Sequence, residues 1–277
     1  MAESNRRTDG SLDRAIALAT DALGASPAGL LTDFDGTLSP IVPDPALAQL
    51  VEGASAPLSA LAERLAVVAI VTGREPAAAR RMVGVPELLI AGNHGTEWLE
   101  PGEAEPHPSA DAERLLPLLD GMLARVPDLE GVVIEHKGLS ASVHYRSARD
   151  PERTRTTLLR AIGQPAEGFE LGGGKMIIEL RPVGLGDKGS ATEAIIRRFG
   201  LRGVVAMGDD LTDLDMFAAV AAARDAGRVR AAIIGVAAAD GRAPDAVAEA
   251  SDVVLASVEE VAIVLQALAG SGDANRS

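Results

Sequence analysis

Cysteine is absent from this 277-residue chain, which excludes disulfides and thiolate metal sites. No apolar run approaches the length of a membrane span, and the polar N-terminus has no signal-peptide core, so a cytoplasmic location without a membrane partner is expected. Positive charge is short: 26 basic residues face 40 acidic ones for a net charge of −14, and the electrostatic footprint of a nucleic-acid binder is missing. An anionic substrate would have to be drawn in by local positive groups against that field. Lysine is nearly missing too, with only Lys137, Lys175 and Lys188 in a chain that otherwise uses arginine. Arginine and lysine are not interchangeable at tight sites, so three retained lysines point to places that need a compact ammonium. Asparagine is as scarce, and Asn93 is the only one outside the terminal tails.

What is present centres on Leu30 to Pro40. The apolar run Ala28 to Leu31 reads as a buried strand. It delivers Asp33 and Asp35 into a turn at Gly36, where side chains at i and i+2 of an extended segment point the same way. Two carboxylates facing one spot repel unless a cation lies between them or one keeps its proton. An Asp-rich turn is the simpler account of a bare Asp-x-Asp-Gly fragment; the preceding strand and the Thr37-Leu38 that follow favour a chemical one. Strand ends are also where parallel sheets place ligand chemistry.

Along the chain, residues 1–10 are expected to be a disordered tail, with Ser11 capping a helix to about Ala25. Pro40 to Pro45 is irregular, Ala46 to Leu65 is helical with a break at Pro57, and Ala66 to Val71 is a strand ending in Thr72-Gly73-Arg74. A hydroxyl followed by glycine at a strand end can bind phosphate or cap the helix from Pro76 to Met82. Leu88 to Ala91 is a strand leading to Gly92-Asn93-His94-Gly95, which serves as a ligand loop or a turn. Glu100 to Ser109 reads as a linker. Beyond it come a helix (110–125), strands 132–135 and 139–145, a helix (150–162), and strands 169–171 and 175–180 joined by a turn at Gly172 to Gly174. That order suits a small α+β unit, with Glu135, Lys137, His144, Arg146, Lys175 and Glu179 on its strands. Alternation then resumes. A helix opens at Asp187-Lys188-Gly189, and strand Val204 to Met207 empties into Gly208-Asp209-Asp210-Leu211-Thr212-Asp213. Helix capping accounts for one or two of these carboxylates; a hard divalent cation such as Mg²⁺ accounts for more.

Asp33-Phe34-Asp35-Gly36-Thr37, Thr72-Gly73-Arg74, Lys188 and Gly208-Asp209-Asp210 together resemble, in order and spacing, the four motifs of haloacid dehalogenase-like phosphohydrolases. Gly92 to Gly95, Glu135-His136-Lys137-Gly138, His144-Tyr145-Arg146 and Glu179-Leu180-Arg181-Pro182 narrow the likeness to trehalose-6-phosphate phosphatases, over about Leu30 to Leu268. Leu214 departs from that pattern, which has an acidic residue there.

The resemblance implies an α/β fold: a Rossmann-like parallel-sheet core from residues 11–107 and 183–269, an inserted α+β cap from 108–182, and tails at 1–10 and 270–277. It implies Asp33 as nucleophile, Asp35 as general acid/base, and Thr72 and Lys188 on the phosphoryl oxygens. Mg²⁺ would be held by Asp33, the Asp35 backbone carbonyl and Asp209, with Asp210 and Asp213 in support. Gly73, Arg74, Asn93, His94, Glu135, Lys137, Arg146, Lys175 and Glu179 would contact the substrate, a phosphorylated disaccharide. The N-terminal helix is expected to cover the core edge or to contact a partner, and a loose association with a trehalose-phosphate synthase belongs to the same expectation. Two alternatives stand beside this one. The first is a phosphatase of another glycosyl phosphate, such as sucrose 6-phosphate or a glycosyl phosphoglycerate. The second is a non-catalytic sugar-phosphate sensor.

Overall fold

The computed structural model describes residues 2–271 apart from 138, 175, 184, 185 and 240; the side chains of 2–9 and 137 also fall outside the description. Lys175, the Lys137 side chain and the tail at 272–277 therefore lie outside the described residues. The chain divides into a larger unit, Met1–His107 with Asp187–Ser277, and a smaller one, Pro108–Gly186. The return falls at Asp187 where residue 183 was expected.

In the larger unit α1 (Ala2–Leu23) leads to β1 (Ala28–Thr32), α2 (Ser55–Arg64), β2 (Val67–Val71), α3 (Pro76–Val83), β3 (Leu89–Gly92) and β4 (Glu97–Leu99), with the short β5 (His107–Pro108) at the edge. The smaller unit contains α4 (Ala110–Leu123), β6 (Val133–Lys137), β7 (Ser140–His144), α5 (Pro151–Ile162), β8 (Phe169–Gly174) and β9 (Ile177–Pro182). The chain then supplies α6 (Lys188–Arg198), β10 (Gly203–Gly208), α7 (Leu214–Asp225), β11 (Arg230–Val236), α8 (Asp245–Ala250), β12 (Val253–Leu255) and α9 (Val258–Gly270).

The main sheet runs β12-β11-β10-β1-β2-β3-β4-β5. It is parallel from β12 to β3, and β4 pairs antiparallel with β3. Its strands are near-continuous apolar runs because helices cover both faces. Successive residues of β1 enter different cores: Leu30 packs with Leu58, Ile70 and Leu265, whereas Leu31 packs with Ile195, Phe217 and Val220. Each such fully buried side chain contributes about 1.5–3 kcal/mol. The parallel register, Thr32 opposite Met207 and Ile70, brings the carboxyl ends of β1, β10 and β2 level.

Three local expectations are corrected. The first helix starts at Ala2 and runs through Ser11, so residues 2–10 are helical and Ser11 is not its cap. Ala15, Ala19 and Ala22 are buried among β11, β12 and α9, so this helix does cover the core edge. The segment after Pro45 is one short 3-10 turn and then irregular until α2, whose first turn contains Pro57 without a break. A proline is tolerated there because first-turn N–H groups have no intrahelical acceptor. Gly172 to Gly174 do not form the hairpin turn but extend β8, pairing with Glu179, Ile178 and Ile177.

The smaller unit has a four-stranded antiparallel sheet, β6-β7-β9-β8. Leu115 and Leu119 of α4 and Leu158 and Ile162 of α5 share a core with Ala141, Val143, Ile178 and Leu180. Period-2 alternation then sends Glu135, Ser142, Glu179 and Arg181 to the opposite face.

Candidate active site

The carboxyl ends of β1, β2, β3 and β10, with the first turn of α6, form one cluster in the larger unit. The Asp33 N–H donates to the Met207 carbonyl at 2.9 Å, tying the end of β1 to β10. Gly36 turns the chain back with φ +79°; a Cβ there would lie 2.0 Å from Asp209 Oδ2, so only glycine lets this loop approach the next strand end. The Thr37 hydroxyl then donates to Asp209 Oδ1 at 3.1 Å. Sequence reasoning left Thr37 without a role, although its place directly after Asp35-Gly36 was a signal.

Lys188 is the first residue of α6, reached through a capping box in which Asp187 accepts from the Ser190 N–H. Its ammonium lies 2.8 Å from Asp33 Oδ1 and 2.7 Å from Asp213 Oδ1, with all three side chains buried. Burial works against the charge on Lys188, but Asp33 and Asp213 outweigh it and hold its pKa above the usual value. Burial pushes Asp33 up to about 7, opposed by Lys188 and reinforced by Asp213. Asp209 is likewise pushed up to about 7, by burial and then by Asp213.

Asp33, Asp209 and Asp213 each offer an oxygen, all within 4.8 Å of one another. The Lys188 ammonium pairs with two of these carboxylates, Asp33 and Asp213, while Asp209 accepts from the Thr37 hydroxyl. An all-oxygen donor set of this kind fits a hard divalent cation. Asp213 is the most committed of the three: Oδ1 accepts from Lys188, and Oδ2 accepts from the N–H groups of Asp209 at 2.9 Å and Asp210 at 3.0 Å. Asp210 lies outside this group of three, is exposed, and caps the following turn through the Leu211 N–H.

Asp35 sits apart from the ammonium. Arg74 Nε donates to its Oδ2 and Arg74 Nη2 to its Oδ1, and these bonds raise the guanidinium's pKa. The Thr72 hydroxyl accepts from the Arg74 N–H at 3.2 Å. This turn is stitched to the next strand end: the Asn93 N–H donates to the Arg74 carbonyl and the His94 N–H to the Thr72 carbonyl. Asn93 and His94 hold φ values of +48° and +56°, a conformation uncommon outside glycine that clusters at functional sites. The His94 ring lies where a Gly73 side chain would be. Burial, then Lys188, lowers the pKa of His94.

The structure thus brings Asp33, Lys188, Asp209 and Asp213 together, with Asp35–Arg74 and the Thr72, Gly73, Asn93 and His94 turn on the same sheet edge. In the smaller unit, Glu135 and Glu179 share the outward sheet face, and Arg146 is exposed just past β7. Ser142 and Arg181 belong to that face as well and were not singled out from the sequence; their even spacing from Glu179 and His144 was the available signal.

The sequence model of the family described as trehalose-phosphatase matches residues 31–245, the span that contains every one of these residues. The chain belongs to the trehalose-phosphatase family. A trehalose-phosphate phosphatase of Mycobacterium avium (strain 104) is 39% identical over 217 residues, covering 75% of this chain and 55% of that protein. The one of Mycobacterium leprae (strain TN) is 36% identical over 73% of this chain and 49% of its own. The chain therefore spans about half the length of these curated relatives. A solved structure of Aspergillus fumigatus trehalose-6-phosphate phosphatase matches with a TM-score of 0.65 at 25% identity, covering 92% of this chain and 97% of that one. Among the described residues no helix is long and apolar enough to cross a membrane.

Proposed function

We propose that this chain is a Mg²⁺-dependent phosphatase that hydrolyses trehalose 6-phosphate to trehalose and inorganic phosphate through an aspartyl-phosphate. The buried Asp33–Lys188–Asp213 arrangement, within a trehalose-phosphatase family chain, carries this reading.

Asp33 is the nucleophile: a carboxylate oxygen bonds to phosphorus as the sugar oxygen leaves, and water later takes the phosphoryl group. Lys188, the Thr72 hydroxyl and the Gly73 N–H hold phosphoryl oxygens while charge builds on them. Asp35 gives its proton to the leaving sugar oxygen and then accepts one from the attacking water. Both its oxygens are engaged by Arg74, so a proton on Asp35 displaces one of those bonds and Arg74 moves with the acid role. Asp33, Asp209 and the Asp35 carbonyl would hold Mg²⁺, with Asp213 and Asp210 in support; what the ion supplies is relief of repulsion between an anionic nucleophile and an anionic ester.

The smaller unit acts as the cap that selects the sugar. A disaccharide presents many hydroxyls, which suit carboxylates and cations able to make paired hydrogen bonds; Glu135, Glu179, Lys137, Lys175 and Arg146 fill that role. Asp33, Asp35, Lys188 and Asp209 all stand, which argues against a non-catalytic sensor.

Phosphate release with Mg²⁺ tests the reading, comparing trehalose 6-phosphate with glucose 6-phosphate, sucrose 6-phosphate and glucosyl phosphoglycerate. Strong preference for the first is expected. Activity centred on another ester would keep the Asp33 chemistry and replace the sugar; a folded protein silent on all four would leave the sensor.

A further inference from the structure

On β9 the side chains of Ile178 and Leu180 enter the core, so Glu179 and Arg181 share the opposite face. The register sets Gly172 of β8 opposite Glu179 and Glu170 opposite Arg181. The place across from a strand side chain is ordinarily filled by its cross-strand partner, and glycine leaves it empty. Arg181 fills it instead. A Cβ on Gly172 would lie 2.7 Å from Arg181 Nη2 and 2.9 Å from both Cζ and Nε, so the guanidinium lies against that glycine. Its two ends face carboxylates at ion-pair distance, Nη2 at 3.3 Å from Glu170 Oε1 and Nη1 at 3.7 Å from Glu179 Oε2.

We propose that Arg181 is a positioning residue that fixes the Glu179 carboxylate for sugar recognition, and that position 172 is glycine because the guanidinium occupies its side-chain space. The inference rests on the reading of Glu179 as a sugar contact.

Stability does not explain the arrangement. The Arg181, Glu170 and Glu179 side chains are 52%, 55% and 31% exposed, and ion pairs at such exposure contribute little to folding. A glycine inside a strand weakens it. Recognition does explain it. A free glutamate surrenders rotamer freedom when it binds a hydroxyl pair, and a planar guanidinium already seated beside it removes part of that cost before the sugar arrives. The same device recurs along the row. The register continues from Glu179 to Ser142 to Glu135, and Glu135 is held at 2.9 Å by His144 Nε2, from the neighbouring row. With strands about 4.8 Å apart, the two carboxylate positions are roughly 10 Å apart, the reach of a disaccharide's hydroxyls. Each is braced by a side chain that does not itself stand in the row.

Steady-state kinetics with trehalose 6-phosphate and p-nitrophenyl phosphate test this on the full chain, in wild type, E179Q, R181A, R181K, G172A and the E179Q/R181A double variant. R181A should raise KM for trehalose 6-phosphate about tenfold more than KM for p-nitrophenyl phosphate, with a smaller change in kcat. R181K should recover part of the loss. G172A should produce a loss of the same kind with the charge intact, because its methyl group displaces only the end of a flexible side chain and leaves the fold in place. The double variant should be no worse than E179Q alone, since the two act as a unit. Equal losses on both substrates, or full additivity with E179Q, would overturn the positioning role while leaving Glu179 as a sugar contact. An E179Q enzyme with unchanged KM for trehalose 6-phosphate would instead remove the sugar contact itself, and the inference with it.

Discussion

Arg74 grips Asp35 through both carboxylate oxygens, Nε to Oδ2 at 2.5 Å and Nη2 to Oδ1 at 2.6 Å, while its guanidinium stands 5.7 Å from the centre of the Phe34 ring. The candidate acid/base is therefore held by a fork that only arginine can supply. Arg74→Lys should lower kcat/KM for trehalose 6-phosphate by roughly tenfold or more, nearly as far as Arg74→Ala, because a point charge cannot reproduce two parallel bonds. A lysine variant with wild-type kcat/KM would show that the fork is dispensable.

Asp33→Asn removes the proposed nucleophile and almost no volume. Turnover should fall by at least about 10³-fold while the unfolding transition shows an intact fold. Substantial phosphate release by the folded variant would sink the covalent mechanism.

Lys188 lies between two buried carboxylates, at 2.8 and 2.7 Å. Lys188→Ala leaves them uncompensated, and breaking a buried pair by removing one partner costs about 3–5 kcal/mol. Chemical denaturation should show a loss of that order together with loss of turnover. An unchanged midpoint would mean that the carboxylates are relieved without Lys188, by taking up a proton or by another partner.

The pH dependence has a definite sign. Asp209 is pushed up to about 7 from the usual 3.8, so between those values the folded chain keeps a proton that the unfolded chain has released. That contribution favours folding at low pH and is lost as pH rises through about 7. Without metal, the melting temperature should fall more steeply between about pH 5 and pH 8 in wild type than in Asp209→Asn. Added Mg²⁺ should raise it most at the upper end, where the carboxylates are ionised and able to bind. Equal slopes in both proteins would separate Asp209 from the effect.

The paired aspartates, the strand before them, Lys188 at a helix start and the acidic run after β10 were legible because each is local: an apolar run, a turn former and a carboxylate adjacent in sequence. What was not legible depends on rotamers and register. Asp213 reads as one more carboxylate in a run, yet it spends both oxygens on Lys188 and two backbone N–H groups. Arg74 reads as a substrate contact, yet it faces Asp35. The glycine run of β8 reads as a turn because glycine is the commonest turn former; only the pairing of Gly172 with Glu179 shows it to be strand.

The order of strands sets a sequence of events during synthesis. β1 lies between β2, its near neighbour in the chain, and β10, which begins at Gly203 after the whole smaller unit has been made. Until then one edge of β1 has no partner, Asp33 lacks the Met207 carbonyl that its N–H meets in the folded chain, and the contiguous smaller unit is free to fold first. Such long-range parallel pairing is slow and leaves apolar strands exposed to association. A nascent chain that already carries Asp33 therefore lacks both its partner strand and the carboxylates of Asp209 and Asp213 until β10 and the turn after it have been made.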